Sequence, residues 1–293
     1  MKLPPVEYRR AQDAADAVTL LGEFGEDAKV LAGGQSLVPL MSFRLARPTV
    51  LVDLNPVQGL DFVRAEDGHL VVGAMTRQRT VERHAGAHAA VPLLPLVLPH
   101  IGHATNRNRG TIGGSIAHAD PAAELPTLAQ TLAAEMVVLG PRGERTVPAS
   151  EFFLGPLTPS LDYDEVLTSV RFPRLPDGTG AGVAELARRH GDFAVVSVLA
   201  AVHVGADGWI DHVRLGASGV ASVPLRLHAA EAVLLGTSGD AAAIEAAAEA
   251  AVGEIDPVDD VHGPADYRRH VTRVMLGRAV RDAVRRAEGS AHV

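Results

Sequence analysis

Apolar positions recur at two spacings along the chain, and the changes from one spacing to the other divide it into segments. Ala11, Ala14, Val18 and Leu21 lie three or four apart, which predicts a helix from about Ala11 to Phe24. Ala28 to Leu31 follows as a short apolar strand that runs into Gly33-Gly34. Leu37 to Leu45 is helical in pattern, and Thr49 to Leu54 is a β-branched strand. A β/α unit with its glycine turn between strand and helix is therefore expected at the N-terminus. Further on, Leu70 to Val72, Met136 to Leu139 and Glu165 to Phe172 read as strands, and Pro121 to Leu132 as a helix entered through Asp120. Asp120 can accept backbone N–H bonds, and Pro121 suits a first helical position. Leu175 to Gly180 is rich in turn residues and is the best linker. Beyond it, Phe193 to Val204 and Trp209 to Leu215 form a hairpin around Asp207-Gly208. Ala241 to Val252 is an alanine-rich helix with Ser238 or Asp240 near its start. A last helix from about Pro264 to Ala287 turns Val271, Val274, Met275 and Ala279 inward and its arginines outward.

These breaks place domain boundaries near residues 55 and 176, giving units 1–55, 56–176 and 177–293. The 293 residues, 47% hydrophobic and 21% charged, suffice for two domains or two lobes around a cleft. With only 4% aromatic residues, the core must be built from Ala, Val and Leu. A formal charge of -8 argues against nucleic acid as a partner, because phosphate contacts need a surplus of Lys and Arg. The absence of cysteine excludes disulfides, thiolate zinc sites, iron–sulfur ligation and thiol nucleophiles from this chain. No segment has the length and apolarity of a membrane span, and no signal peptide is apparent, so a cytoplasmic location is expected.

The candidate chemistry lies in two glycine turns. In Ala32-Gly33-Gly34-Gln35-Ser36 the missing Cβ atoms let backbone approach an anion, and the amides of Gly34, Gln35 and Ser36 are free to point at phosphate oxygens. Ser36 is either the cap of the following helix or a phosphate ligand. Thr111-Ile112-Gly113-Gly114-Ser115 pairs two glycines with two hydroxyls, and the two turns could close on a diphosphate from both sides. A bulky β-branched residue at Gly33 or Gly114 is then expected to stand where the diphosphate must sit. Neither turn matches the Rossmann or P-loop pattern, and no nucleophile elbow surrounds any serine. His84 with His88 and His100 with His103 have helical spacing but lack a third ligand, so no metal is expected there.

Leu31-Ala32-Gly33-Gly34-Gln35-Ser36-Leu37, Arg47-Pro48 and the strand Val50 to Leu54 resemble the start of the FAD-binding medium subunit of the molybdenum hydroxylases, the xanthine dehydrogenase and carbon monoxide dehydrogenase family. The run from Arg107 to Pro126, through Thr111-Ile112-Gly113-Gly114-Ser115, is similar to that family's second FAD signature over its whole length. Arg188 to Ala194, then Gly216, Pro224, Arg226, Asp260 and Tyr267-Arg268-Arg269, are similar to its later segments. The resemblance implies an α+β fold: a two-lobed FAD-binding domain like that of vanillyl-alcohol oxidase (the PCMH type), then a C-terminal antiparallel sheet with a helical bundle. It implies non-covalent FAD, with its pyrophosphate between Ala32–Ser36 and Thr111–Ser115 and with Leu37 and His118 beside it. Glu124 would stand near the hydroxyl-bearing chain, Ile101 and Leu167 at apolar contacts, and Asp192 and Phe193 near the isoalloxazine. Phe193 stands where relatives often have tyrosine, and Asn106 where they are usually aliphatic. The implied function is electron transfer within a complex, with [2Fe–2S] clusters in a small subunit, the molybdenum cofactor in a large molybdopterin subunit, and a dimer of heterotrimers as the assembly. A self-sufficient FAD oxidase or dehydrogenase of the same superfamily is the alternative. No catalytic side chain is assigned.

Overall fold

The computed structural model describes residues 2–290. Its N-terminal lobe is a three-stranded parallel sheet in the order Glu7–Arg10, Val50–Asp53, Ala28–Leu31. The helix Ala14–Phe24 covers it with Ala17, Val18 and Leu21. That helix starts later than its apolar pattern, because Asp13 caps it by accepting from Asp16 N at 2.8 Å. Ala11 is buried for a different reason: its N–H extends the sheet, donating to Asp53 O at 3.1 Å. Met75 and Val166, from the second lobe, complete this core.

The second lobe is a five-stranded antiparallel sheet ordered Val63–Glu66, His69–Gly73, Val166–Pro173, Glu135–Gly140, Gly143–Pro148. Helices Ile112–His118 and Glu124–Thr131 help to build its core through Ile112, Ile116, Leu125 and Leu128. The helix expected from Pro121 begins instead at Glu124. Ala119 is left-handed at φ 53°, and the Asp120 carboxylate accepts from Ala122 N at 2.9 Å. The Asp-Pro pair therefore closes a turn before the helix, which starts only where that turn releases the chain.

The C-terminal part is an antiparallel sheet of Gly180–Ala187, Ala194–Val204, Ile210–Ser218 and Leu225–Arg226. Gly208, at φ 83°, makes the expected tight hairpin. Helices His228–Leu234, Ala241–Glu254 and Ala265–Ser290 pack against the sheet. Asp240, not Ser238, caps the second of them, accepting from Ala243 N at 2.9 Å. The last helix does turn Val271, Met275 and Ala279 inward, but not every arginine outward. Arg268 is buried, donating to Gly219 O at 2.8 Å and to Asp260 at 2.7 Å. Arg226 likewise pairs with Glu231 at 2.8 Å, which also accepts from Leu215 N at 2.8 Å. A hydrogen-bonded buried ion of this kind pins helix to sheet, whereas an unpaired one would be expelled.

Candidate functional site: an elongated cleft between the lobes

The turn 32–36 leaves the C-terminal end of a parallel strand, the edge at which open sheets of this type place ligands. It faces helix Ile112–His118 across a cavity of about 950 Å³, which also reaches the loop 191–193 of the C-terminal part. That volume lies at the upper end of the range for small-molecule and cofactor sites. Ala32, Gly33, Gly34, Gln35, Ser36, Leu37, Ile101, Thr111, Gly113, Gly114, Ser115, His118, Glu124, Leu167, Asp192 and Phe193 all line it. Ile112 does not. Its side chain is 1% exposed and packs in the core, anchoring the helix that carries its neighbours.

The two glycine turns differ in what they offer. Among the described residues, the backbone N–H groups of Gly33, Gly34, Gln35, Ser36 and Leu37 have no acceptor within the chain. The Ser36 hydroxyl makes no cap to the helix Leu37–Ser42, although its residue stands at the cap position. The second turn proves to be the first turn of a helix, and the amides of Ile112, Gly113, Gly114 and Ser115 are already used. Ile112 N donates to Thr76 O at 3.0 Å, Gly113 N to Ala74 O at 2.9 Å, and Gly114 N to Thr111 Oγ1 at 3.0 Å. What this side presents is the Ser115 hydroxyl and glycine surface. A Cβ at Gly113 would come within 2.7 Å of Ala74 Cα, so that glycine serves close packing of helix on sheet.

Long-range polar contacts hold the lobes around the cleft, and most of these residues carry no signal in the sequence. Arg77 donates to Asn55 Oδ1 at 2.6 Å and also to Arg109 O; Asn55 donates to Ala32 O at 3.0 Å. The guanidinium therefore ties the first turn to the backbone just before the second. Arg107 grips both oxygens of Glu82 at 3.0 Å and reaches Ile101 O at 3.0 Å, which places Ile101 at the cavity wall. The Arg107 hydrogen bonds hold the Glu82 carboxyl below the usual carboxylate range. The paired histidines have local duties: His84 caps a short helix, His88 Nε2 lies 3.0 Å from Val81 O, and His100 Nδ1 is 3.3 Å from Glu185.

Glu124 opens its helix but is only 5% exposed. Burial, with the nearby Glu185 charge adding to it, pushes its carboxyl up to about 7. Burial pushes the neighbouring His118 down. Between the ordinary carboxylate range and about 7, the folded chain keeps a proton on Glu124 that the unfolded chain releases. Stability from this group is thus full in acid and falls as pH rises through that window. Glu124→Gln is expected to remove this fall and to raise apoprotein stability by about 1–2 kcal/mol above neutrality. Melting temperatures of both proteins across the window check it; parallel curves would show that Glu124 is not the titrating group.

Two lobes, a cleft of cofactor size and a row of unused amides define a protein built to hold an extended anionic ligand, with an added C-terminal sheet domain. Comparison with known families agrees. Residues 4–175 match the FAD binding domain in molybdopterin dehydrogenase, and residues 182–283 match the CO dehydrogenase flavoprotein C-terminal domain. The chain is 40% identical to the 6-hydroxypseudooxynicotine dehydrogenase complex subunit alpha of Paenarthrobacter nicotinovorans, covering 98% of this chain and 97% of that one. It is 38% identical to the carbon monoxide dehydrogenase medium chain of Hydrogenophaga pseudoflava, over 96% and 97% of the two chains. A solved structure of the Hydrogenophaga carbon monoxide dehydrogenase lacking the Mo-pyranopterin moiety superposes with a TM-score of 0.94 at 40% identity, covering 98% and 99%. Quinoline 2-oxidoreductase from Pseudomonas putida 86 gives 0.93 at 35%, covering 98% and 99%. The chain therefore belongs to the FAD-binding subunit family of the molybdenum hydroxylases, a family of oxidoreductases. Among the described residues no helix is long and apolar enough to cross a membrane.

Proposed function

We propose that this chain is the FAD-carrying electron-transfer subunit of a cytoplasmic molybdenum hydroxylase complex. The observation that carries the reading is the run of acceptorless amides from Gly33 to Leu37 on the wall of a cavity of about 950 Å³. Such a row suits a diphosphate, whose oxygens would take the place of missing backbone acceptors. The Ser36 and Ser115 hydroxyls add donors from the two walls. Gly33 lets the first turn pack against the Arg109–Gly110 backbone and Gly114 lets the second pass beside the Ala32 methyl, while Thr111, through its bond to Gly114 N, holds the opposite wall in shape. Leu37, Ile101 and Leu167 provide apolar contact. His118 and Glu124 lie where a hydroxyl-bearing chain would be hydrogen-bonded, a protonated Glu124 acting as donor. Asp192 and Phe193, on the exposed loop between two C-terminal strands, border the isoalloxazine end. Ile112 acts only by anchoring its helix.

Bound FAD, held non-covalently, would take electrons from [2Fe–2S] clusters in a small partner subunit and pass them to an external acceptor. Substrate would be oxidised in a large molybdopterin subunit, the whole assembling as a dimer of heterotrimers. Residues 1–55 and 56–176 would form the two lobes of the FAD-binding domain, and residues 177–293 the C-terminal flavoprotein domain. The purified chain is expected to bind FAD and to leave organic substrates unoxidised until partner subunits are added. Turnover by the chain alone would overturn the subunit assignment, and a chain that binds no FAD would overturn the cofactor assignment.

A further inference from the structure

Two carboxamides span the gap between the lobes beside the first glycine turn. Gln35 Nε2 donates to Gly33 O at 3.2 Å, and Gln35 Oε1 accepts from Asn106 Nδ2 at 3.2 Å. Asn106 Oδ1 in turn accepts from His103 N at 3.1 Å. The backbone at each end dictates both orientations. Gly33 O is an acceptor and requires the Gln35 amino group; His103 N–H is a donor and requires the Asn106 oxygen. The two remaining ends then meet as acceptor and donor, so the chain of bonds closes without a mismatch.

The peptide that this chain of bonds restrains is the one between Gly33 and Gly34. Its carbonyl and the Gly34 N–H lie in one planar trans unit and point in opposite directions, so holding the carbonyl fixes the direction of the amide. Gly34, at φ 72°, and Gly33 have no Cβ to resist rotation of that peptide, so the restraint must come from a side chain. Gln35 supplies it, and Asn106, reaching from the opposite lobe, fixes Gln35.

We propose that Gln35 and Asn106 form an interlobe latch that positions the Gly34 amide, within the Gly33–Leu37 row, for the diphosphate of the cofactor. The proposal rests on the FAD reading of the cleft. Both are positioning residues, and Asn106 acts only through Gln35. Gln35 is exposed and Asn106 half-buried, so a modest effect is expected from a single hydrogen bond of this kind.

The test is a double-mutant cycle on the full-length apoprotein, with FAD affinity read from flavin fluorescence and folding from the melting temperature. Gln35→Ala and Asn106→Ala are each expected to weaken FAD binding about fivefold. The double variant should bind about as the weaker single variant does, because the second change removes a partner already lost. Melting temperatures of the apoproteins should differ little. A purely structural role for Asn106, through its bond to His103 N, would persist in the Gln35→Ala background, and the losses would multiply. That outcome, or either single variant binding as tightly as the native chain, overturns the latch. Failure of the native chain to bind FAD would instead overturn the reading on which it rests.

Discussion

Gly33→Val is expected to lower the flavin content of the purified chain at least about tenfold, through a clash between the lobes. A Cβ at Gly33 would fall onto Arg109 O and within 2.9 Å of Gly110 Cα, both backbone atoms of the opposite lobe. Those atoms cannot yield easily. Gly110 N donates to Asn106 O at 2.7 Å, Gln78 N donates to Gly110 O at 2.9 Å, and Arg77 holds Arg109 O. The turn must therefore be rebuilt or the lobes must part, and either displaces the amide row. The sequence alone suggested that a side chain here would occupy the diphosphate position; the structure sends it into the other lobe instead. Gly114 is more forgiving, since its Cβ would meet the Thr111 hydroxyl at 2.6 Å and the Ala32 methyl at 3.5 Å. Flavin absorbance after gel filtration, with a thermal melt alongside, decides the matter. Full occupancy in Gly33→Val would show that this interlobe contact does not set the cleft.

Gly182→Val is expected to have the larger effect on stability, lowering it by about 3 kcal/mol or more and the melting temperature by roughly 6–12 °C. Helix Ala265–Ser290 lies so close to strand Gly180–Ala187 that a Cβ at Gly182 would land on Ala279 O and within 3.1 Å of Ala283 N. Gly180 makes the same approach one pair of residues along the strand, against Ala283 and Ala287. Alanines on the helix and glycines on the strand thus let two backbones touch, and no rotamer change can relieve an added branch at that contact. Calorimetry of the apoprotein checks it. A melting temperature unchanged by Gly182→Val would mean that this helix–strand contact does not hold the C-terminal domain together.

Local patterning made much of the fold legible. The strand Ala28–Leu31 has the bounds its sequence predicts, the Asp207-Gly208 hairpin turns where glycine permits, and the alanine-rich helix starts at one of its two candidate caps. The helix expected from Pro121 starts at Glu124 instead because Asp120 satisfies a turn as readily as a helix cap, and the left-handed Ala119 before it decides which. The run from Arg107 to Pro126 and the first glycine turn were visible as motifs. Arg77 and Asn55 were not, since each is an ordinary surface residue until a partner from a distant segment arrives. Helical spacing alone sets Arg268 with the outward arginines, although two carbonyls and Asp260 draw it inward.

The two glycine turns show where that division lies. The sequence by itself determined that both would be free of Cβ atoms and would follow or precede regular elements, because those are properties of each residue and its near neighbours. Only the tertiary structure decided which turn keeps its amides unspent. The N–H groups of Ile112 and Gly113 find acceptors at Thr76 and Ala74, whereas those from Gly33 to Leu37 find none within the described chain. Hydrogen-bond competition of this kind is settled by groups brought together through folding, and spacing along the chain does not record it.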